Sequence, residues 1–194
     1  MDVQGTVDGD MAAGTYRVEF ADRQWPTVVS GSWRVDLAGP VYRLYSPQRQ
    51  KHVYTMSKEE VTRLTNLLLD RWVYEGVAFC AYSQVPSRPE ARPVHGLQSA
   101  VPGSQLLTMD ESERRALTDR YGDAWSDTGV VFYAFPEDSH PYTARPIYRF
   151  WSATMSDHLY TASEAERDML TRDFPQVWTY EGIAWYAIPG DSPR

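Results

Sequence analysis

The string Pro-Val-Tyr-Arg-Leu-Tyr-Ser at 40–46 returns as Pro-Val-His-Gly-Leu-Gln-Ser at 93–99 and as Pro-Ile-Tyr-Arg-Phe-Trp-Ser at 146–152, each copy 53 residues after the one before. The same step is kept at the far ends of the copies. Gly76, Gly129 and Gly182 open three apolar strings in one register, and Trp72, Trp125 and Trp178 fall at the same spacing. Three copies without an insertion or deletion do not arise by chance, so the chain carries a tandem repeat over 40–82, 93–135 and 146–188. The stretches between them, 83–92 and 136–145, are rich in Pro and polar residues and read as linkers.

Each copy reads as strand, strand, helix, strand. In the first, β-branched and aromatic residues after Pro40 predict a strand over 41–46, and a polar turn then leads to a short strand over 52–56. A helix start follows in every copy. Ser57 with Glu60, Asp110 with Glu113, and Ser163 with Glu166 match the capping box, in which the first side chain accepts an orphan helix N–H and the Glu reaches back. Leu64 with Leu68, Leu117 with Tyr121, and Leu170 with Phe174 form the expected buried helix face, and Pro175 is expected to stop the third helix one turn early. The run over 77–82 is almost wholly apolar and predicts a central strand covered on both sides.

One such unit cannot bury its own aromatic strand, whereas three packed around a common axis can. The expected fold is therefore α+β and β-rich: three strand-strand-helix-strand repeats of period 53 in a pseudo-threefold arrangement, preceded by an N-terminal β segment. That segment, 15–39, alternates like strands, with Tyr16, Val18 and Phe20 on one face, and is expected to pair with an open edge or cap the assembly. Residues 1–14 are expected to be a flexible tail, and 15–194 one domain.

Composition narrows the function. A net charge of −7 gives no counterion-release drive toward phosphate backbones, which argues against nucleic acid as a partner. No apolar run is long enough to predict membrane insertion, and the N-terminal stretch has neither the basic nor the apolar region of a signal peptide. Cys80 is the only cysteine, so neither an intrachain disulfide nor a cysteine-based zinc site is available. The four histidines show no metal-ligand spacing, no Gly-rich phosphate loop is present, and neither a metal nor a cofactor is expected.

The pattern Tyr-Arg-x-Tyr, then His-x-Tyr-Thr before a capped helix, then Tyr-Glu-Gly before an aromatic strand resembles a tandem repeat of unknown function. That repeat is found in secreted bacterial and fungal proteins, often beside cell-wall lytic or other glycan-acting domains. Tyr42, Arg43, Tyr45, His52, Tyr54, Thr55, Glu75 and Gly76 carry it in the first copy. Tyr148, Arg149, Trp151, His158, Tyr160, Thr161, Glu181 and Gly182 carry it in the third. The second copy departs, with His95, Gly96, Gln98, Gln105, Leu107 and Thr128 at these places. The resemblance implies an accessory module directed at glycan or cell envelope, in a secreted setting, and brings no catalytic residue with it.

The leading expectation is a non-catalytic, lectin-like module for carbohydrate, with a site in each of the first and third copies. Arg43 and Glu75 would bond sugar hydroxyls, His52 would add a donor, and Tyr42, Tyr45 or Trp72 would stack on a sugar face. Tyr54 belongs to the same set, and Tyr148, Arg149, Trp151, His158, Tyr160 and Glu181 repeat it. The same residues can instead close as a buried Arg–Glu network that fixes geometry and binds nothing. A glycan hydrolase using one inter-repeat cleft and a structural protein–protein module are the other two classes. Strict repetition places like residues on each unit, whereas catalysis needs unlike residues in one cleft, so binding is favoured over catalysis.

Overall fold

A computed structural model describes residues 2–8, 11–20, 27–67 and 71–190. The described residues are β-rich, with three helices and four small antiparallel sheets of three strands each. It divides into two compact units, Met1–Ala38 and Gly39–Arg194.

The first unit is one sheet, ordered β1 (Asp2–Asp8), β2 (Met11–Phe20), β3 (Thr27–Asp36). The tail expected over 1–14 is corrected here: residues 2–8 and 11–14 are paired strand, with Gly5 opposite Gly14 and Val3 opposite Tyr16. Tyr16 also pairs with Gly31 on its other side, and its ring occupies the space that a side chain at 31 would need. Val18 is half-buried, and the side chain of Phe20 lies outside the described residues.

The second unit repeats one element order three times. β4 (Gly39–Ser46), β5 (Lys51–Thr55), α1 (Lys58–Thr65) and β6 (Val73–Ala81) come first. β7 (Arg92–Ser99), β8 (Gln105–Thr108), α2 (Glu111–Arg120) and β9 (Trp125–Ala134) follow, then β10 (Arg145–Ser152), β11 (Asp157–Thr161), α3 (Glu164–Asp173) and β12 (Thr179–Ala187). The sheet orders are β5-β4-β6, β8-β7-β9 and β11-β10-β12. The first strand of each unit is thus central and the last strand lies at an edge, the reverse of the expectation for 77–82. The apolar run has another cause. Phe79 and Ala81 point into the core, Val77 packs on the helix side, and the free edge is bridged by Cys80 to Ile188, next to which Gly190 sits against Val77. Similar bridges join Tyr82 to Tyr133 and Phe135 to Tyr186.

The main core draws on all three element sets. Phe79, Phe132 and Trp185 meet pairwise edge-to-face at 5.6, 5.7 and 6.0 Å, ringed by Val41, Val94, Ile147 and the alanines 81, 134 and 187. Two smaller clusters lie between helix and sheet: Tyr42, Leu44, Leu64 and Trp72 under α1, and Tyr148, Phe150, Leu159, Leu170 and Trp178 under α3. Helix α2 buries no residue fully, and Trp125 is only half-buried. The expected helix face therefore holds for Leu64 and Leu170 but not for Tyr121 and Phe174. Those two are C-cap residues beyond the last turn and are exposed, at 58% and 43%. Leu68 lies outside the described residues. Pro175 follows the C-cap without shortening α3, which has the same ten residues as α2.

The helix starts fall at Ser57, Asp110 and Ser163, whose side chains accept from the N–H groups of Glu60, Glu113 and Glu166. Replacing any of them with Ala is expected to cost about 0.5–2 kcal/mol, read as a lowered denaturation midpoint with early hydrogen exchange in that helix. Unchanged midpoints in all three variants would contradict the capping role.

Candidate functional site

A β-bulge builds the site. Along β4 and β6, Arg43 pairs with Gly76 and Leu44 with Tyr74, so Glu75 is left over and bulges out of the ladder. Gly76 takes φ of +116°, a value that favours glycine, and a Cβ there would meet nothing within 4 Å, so the glycine is required by backbone conformation rather than by crowding. Glu181 bulges in the same way beside Gly182 at φ of +111°.

The bulge turns Glu75 onto Arg43, with Nε to Oε2 at 2.8 Å. A second carboxylate closes the other side of the guanidinium: Arg43 Nη1 donates to Oε2 of Glu166, at the start of α3, at 3.0 Å. Arg149 repeats the arrangement, held at 2.9 Å by both Glu181 and Glu113, the latter at the start of α2. Each Arg thus joins its own bulge to the helix start of another repeat copy. Both Arg pKa values move upward, because the paired carboxylates outweigh the cost of burial. Burial would lift Glu166, but its hydrogen bond to Arg43 prevails and holds it below the usual range. Glu181 goes the other way, raised by burial that Arg149 only partly offsets.

These helix glutamates were expected to complete the caps. The N-cap N–H groups are satisfied otherwise: those of Ser57, Asp110 and Ser163 donate to Oγ1 of Thr55, Thr108 and Thr161, at 3.0–3.1 Å. The threonine two residues before every cap was a readable sign that Glu113 and Glu166 are available for other work.

Two clefts lie over the clusters. The first, of about 430 Å³, is lined by Arg43, Glu75, Gly76, Thr161, Ser163 and Glu166, among others. The second, of about 180 Å³, includes Asp110, Glu113, Arg149, Glu181 and Trp185 in its lining. The remaining expected site residues stand back from them. His52 and His158 are buried, with Nε2 at 3.8 Å from Glu75 and 3.6 Å from Glu181. Tyr45 and Trp151 lie over these imidazoles, at ring separations of 4.8 and 4.5 Å. Tyr42 and Tyr148 face the helices instead, the latter beneath the guanidinium of Arg167. Tyr42 and Trp72 are both buried in the helix-side cluster, where they pack against Leu44 and Leu64.

Tyr54 and Tyr160 are also core residues, and each hydroxyl serves two backbone groups of one neighbour. Tyr54 Oη donates to the Tyr160 carbonyl at 2.9 Å and accepts from its N–H at 2.7 Å. Tyr160 Oη does the same for Leu107, at 2.8 and 2.9 Å. Leu107 has no hydroxyl to continue the series, and the amide of Gln105 reaches the Tyr54 backbone in its place. Where the second copy lacks the Arg–Glu pair, the space is filled. Thr128 donates to the Gly96 carbonyl at 2.9 Å, and a Cβ at 96 would come within 2.7 Å of both Thr128 and Val131.

Sequence reasoning did not single out Asp157. Its Oδ2 accepts from the His52 backbone at 3.1 Å and lies 2.7 Å from Nδ1 of the same residue. Among the described residues, no group of His, Cys, Asp and Glu has an arrangement to hold a metal ion, and no helix is long and apolar enough to cross a membrane.

The chain belongs to the family described as Domain of unknown function (DUF5648), which matches residues 13–135 and, overlapping, 40–188. No curated protein and no solved structure matches it.

Proposed function

We propose that this chain is a non-catalytic carbohydrate-binding module, built as three tandem repeats about a pseudo-threefold axis, with one ligand cleft at each of two inter-repeat junctions. The meeting of Phe79, Phe132 and Trp185, one ring per repeat at a spacing of 53, supports the axis. The observation that carries the binding reading is the guanidinium held between two carboxylates at the wall of an open cleft. Each guanidinium is already neutralised, so an anionic ligand finds no spare positive charge. Carboxylate oxygens that still have lone pairs accept well from hydroxyls, which favours a neutral sugar. The resemblance to repeats found beside glycan-acting domains supports the same reading.

The ion pairs also tie repeats together, so loss of the Arg acts on stability as well as on binding. Titration calorimetry with cellotetraose and tetra-N-acetylchitotetraose is expected to give a stoichiometry of two. Arg43→Ala and Arg149→Ala should each reduce it to one and lower stability by about 2–3 kcal/mol, less than a fully buried pair because both partners keep some solvent contact. Absence of binding by either sugar at millimolar concentration would overturn the reading and leave the pairs as structural ties.

A further inference from the structure

The two clefts differ in what stands behind them. At the first, the His52 ring is anchored by Asp157, which is fully buried and takes both the ring Nδ1 and the backbone N–H on one oxygen. An ionised Asp157 can only accept, which makes Nδ1 the protonated nitrogen; Nε2, 3.8 Å from Glu75, then carries a lone pair, so the ring packs beside that carboxylate and limits its position without bonding to it. At the second, the residue 53 places before Asp157 is Ser104, whose hydroxyl donates to the Ser156 carbonyl instead. The Nδ1 of His158 is buried and has no partner among the described residues.

We propose that Asp157 ranks the two clefts: by anchoring the His52 ring behind Glu75 it preorganises the first cleft as the tighter site, and Ser104 at the corresponding place leaves the second weaker. This rests on the carbohydrate-binding reading. The His158 ring is held by packing under Trp151, and without a polar bond at Nδ1 its rotation is less restricted; fixing it when ligand arrives subtracts from affinity. Partners that orient a metal-ligating His are worth about ten- to a hundredfold, and the lower end of that range is the scale expected for a ring that only supports a ligand-facing carboxylate. Asp157 is a positioning residue, acting through His52 and Glu75 rather than by contact with ligand.

The test uses the full chain, the same two tetrasaccharides, and nitrogen-resolved NMR of the imidazoles. Wild type should show two classes of site about tenfold apart, the tighter one lost in Arg43→Ala. Asp157→Ser should weaken the tight class about tenfold and abolish the fixed Nδ1–H tautomer of His52. Asp157→Asn, whose amide oxygen still accepts from the ring, should keep both. His52→Gln, which places here the residue of the second copy, is an independent route to the same loss should the Ser variant not fold. Two equal sites in wild type, or a tight class untouched by Asp157→Ser or His52→Gln, would overturn the ranking alone. Failure of both sugars to bind wild type would overturn the carbohydrate reading, and the ranking with it.

Discussion

Tyr160→Phe is expected to lower stability by about 2–5 kcal/mol, among the larger losses that a single substitution can cause here. The hydroxyl is the partner of both the N–H and the carbonyl of Leu107, in a region where Tyr160 and Leu107 are both fully buried. Removing it strands two backbone groups, and each unsatisfied buried group costs about 1–3 kcal/mol. Tyr54→Phe should cost a similar amount, because it strands the N–H and carbonyl of Tyr160. Urea denaturation of the two variants measures this. A loss under about 1 kcal/mol in both would mean that the edge groups find other partners.

Acidification should destabilise the chain through His158. Burial first, and the nearby charge of Arg149 second, push its pKa down to about 3. A group depressed in the folded state contributes stability that is complete above its unfolded pKa. That contribution is lost as pH falls, here from about 6.5 toward about 3. At roughly 1.4 kcal/mol per pH unit, about 3 kcal/mol should be gone by about pH 4.5. Asp157 and Glu181 act in the opposite sense, since burial raises both and their protonation favours the fold. The contribution of His158 is therefore read as a difference. His158→Gln, which cannot titrate and copies Gln105, should lose less stability than wild type between pH 7 and pH 4.5. Parallel curves for the two proteins would contradict the buried neutral imidazole.

Local signals in the sequence were legible and long-range ones were not. The helix starts depend on neighbours within a few residues, so the string at each position reveals them. The edge position of β6 was hidden because an apolar run looks the same whether another strand or a distant chain end covers it. The pairing of Arg43 with Glu75 lies within one copy and could be entertained from the repeat. Its pairing with Glu166 crosses between copies, and a period contains no information on which copies touch. Asp157 was obscured by the repeat itself: the corresponding places carry Lys51 and Ser104, so no shared pattern draws the eye. The stretches 2–8 and 11–14 are rich in small and polar residues, the composition of a tail, and owe their form to pairing within the sheet of β1, β2 and β3.

Because each Arg cluster takes its members from two repeats, the clusters belong to seams and not to modules. The third repeat supplies Glu166 to one seam and both Arg149 and Glu181 to the other. It is the shared member of both, so shortening the chain by that repeat would remove every cluster at once. Losing the second repeat would spare the pairing partners of Arg43. The number of such clusters therefore follows the number of intact neighbour relations, and a lone repeat, however faithful to the signature, would form none.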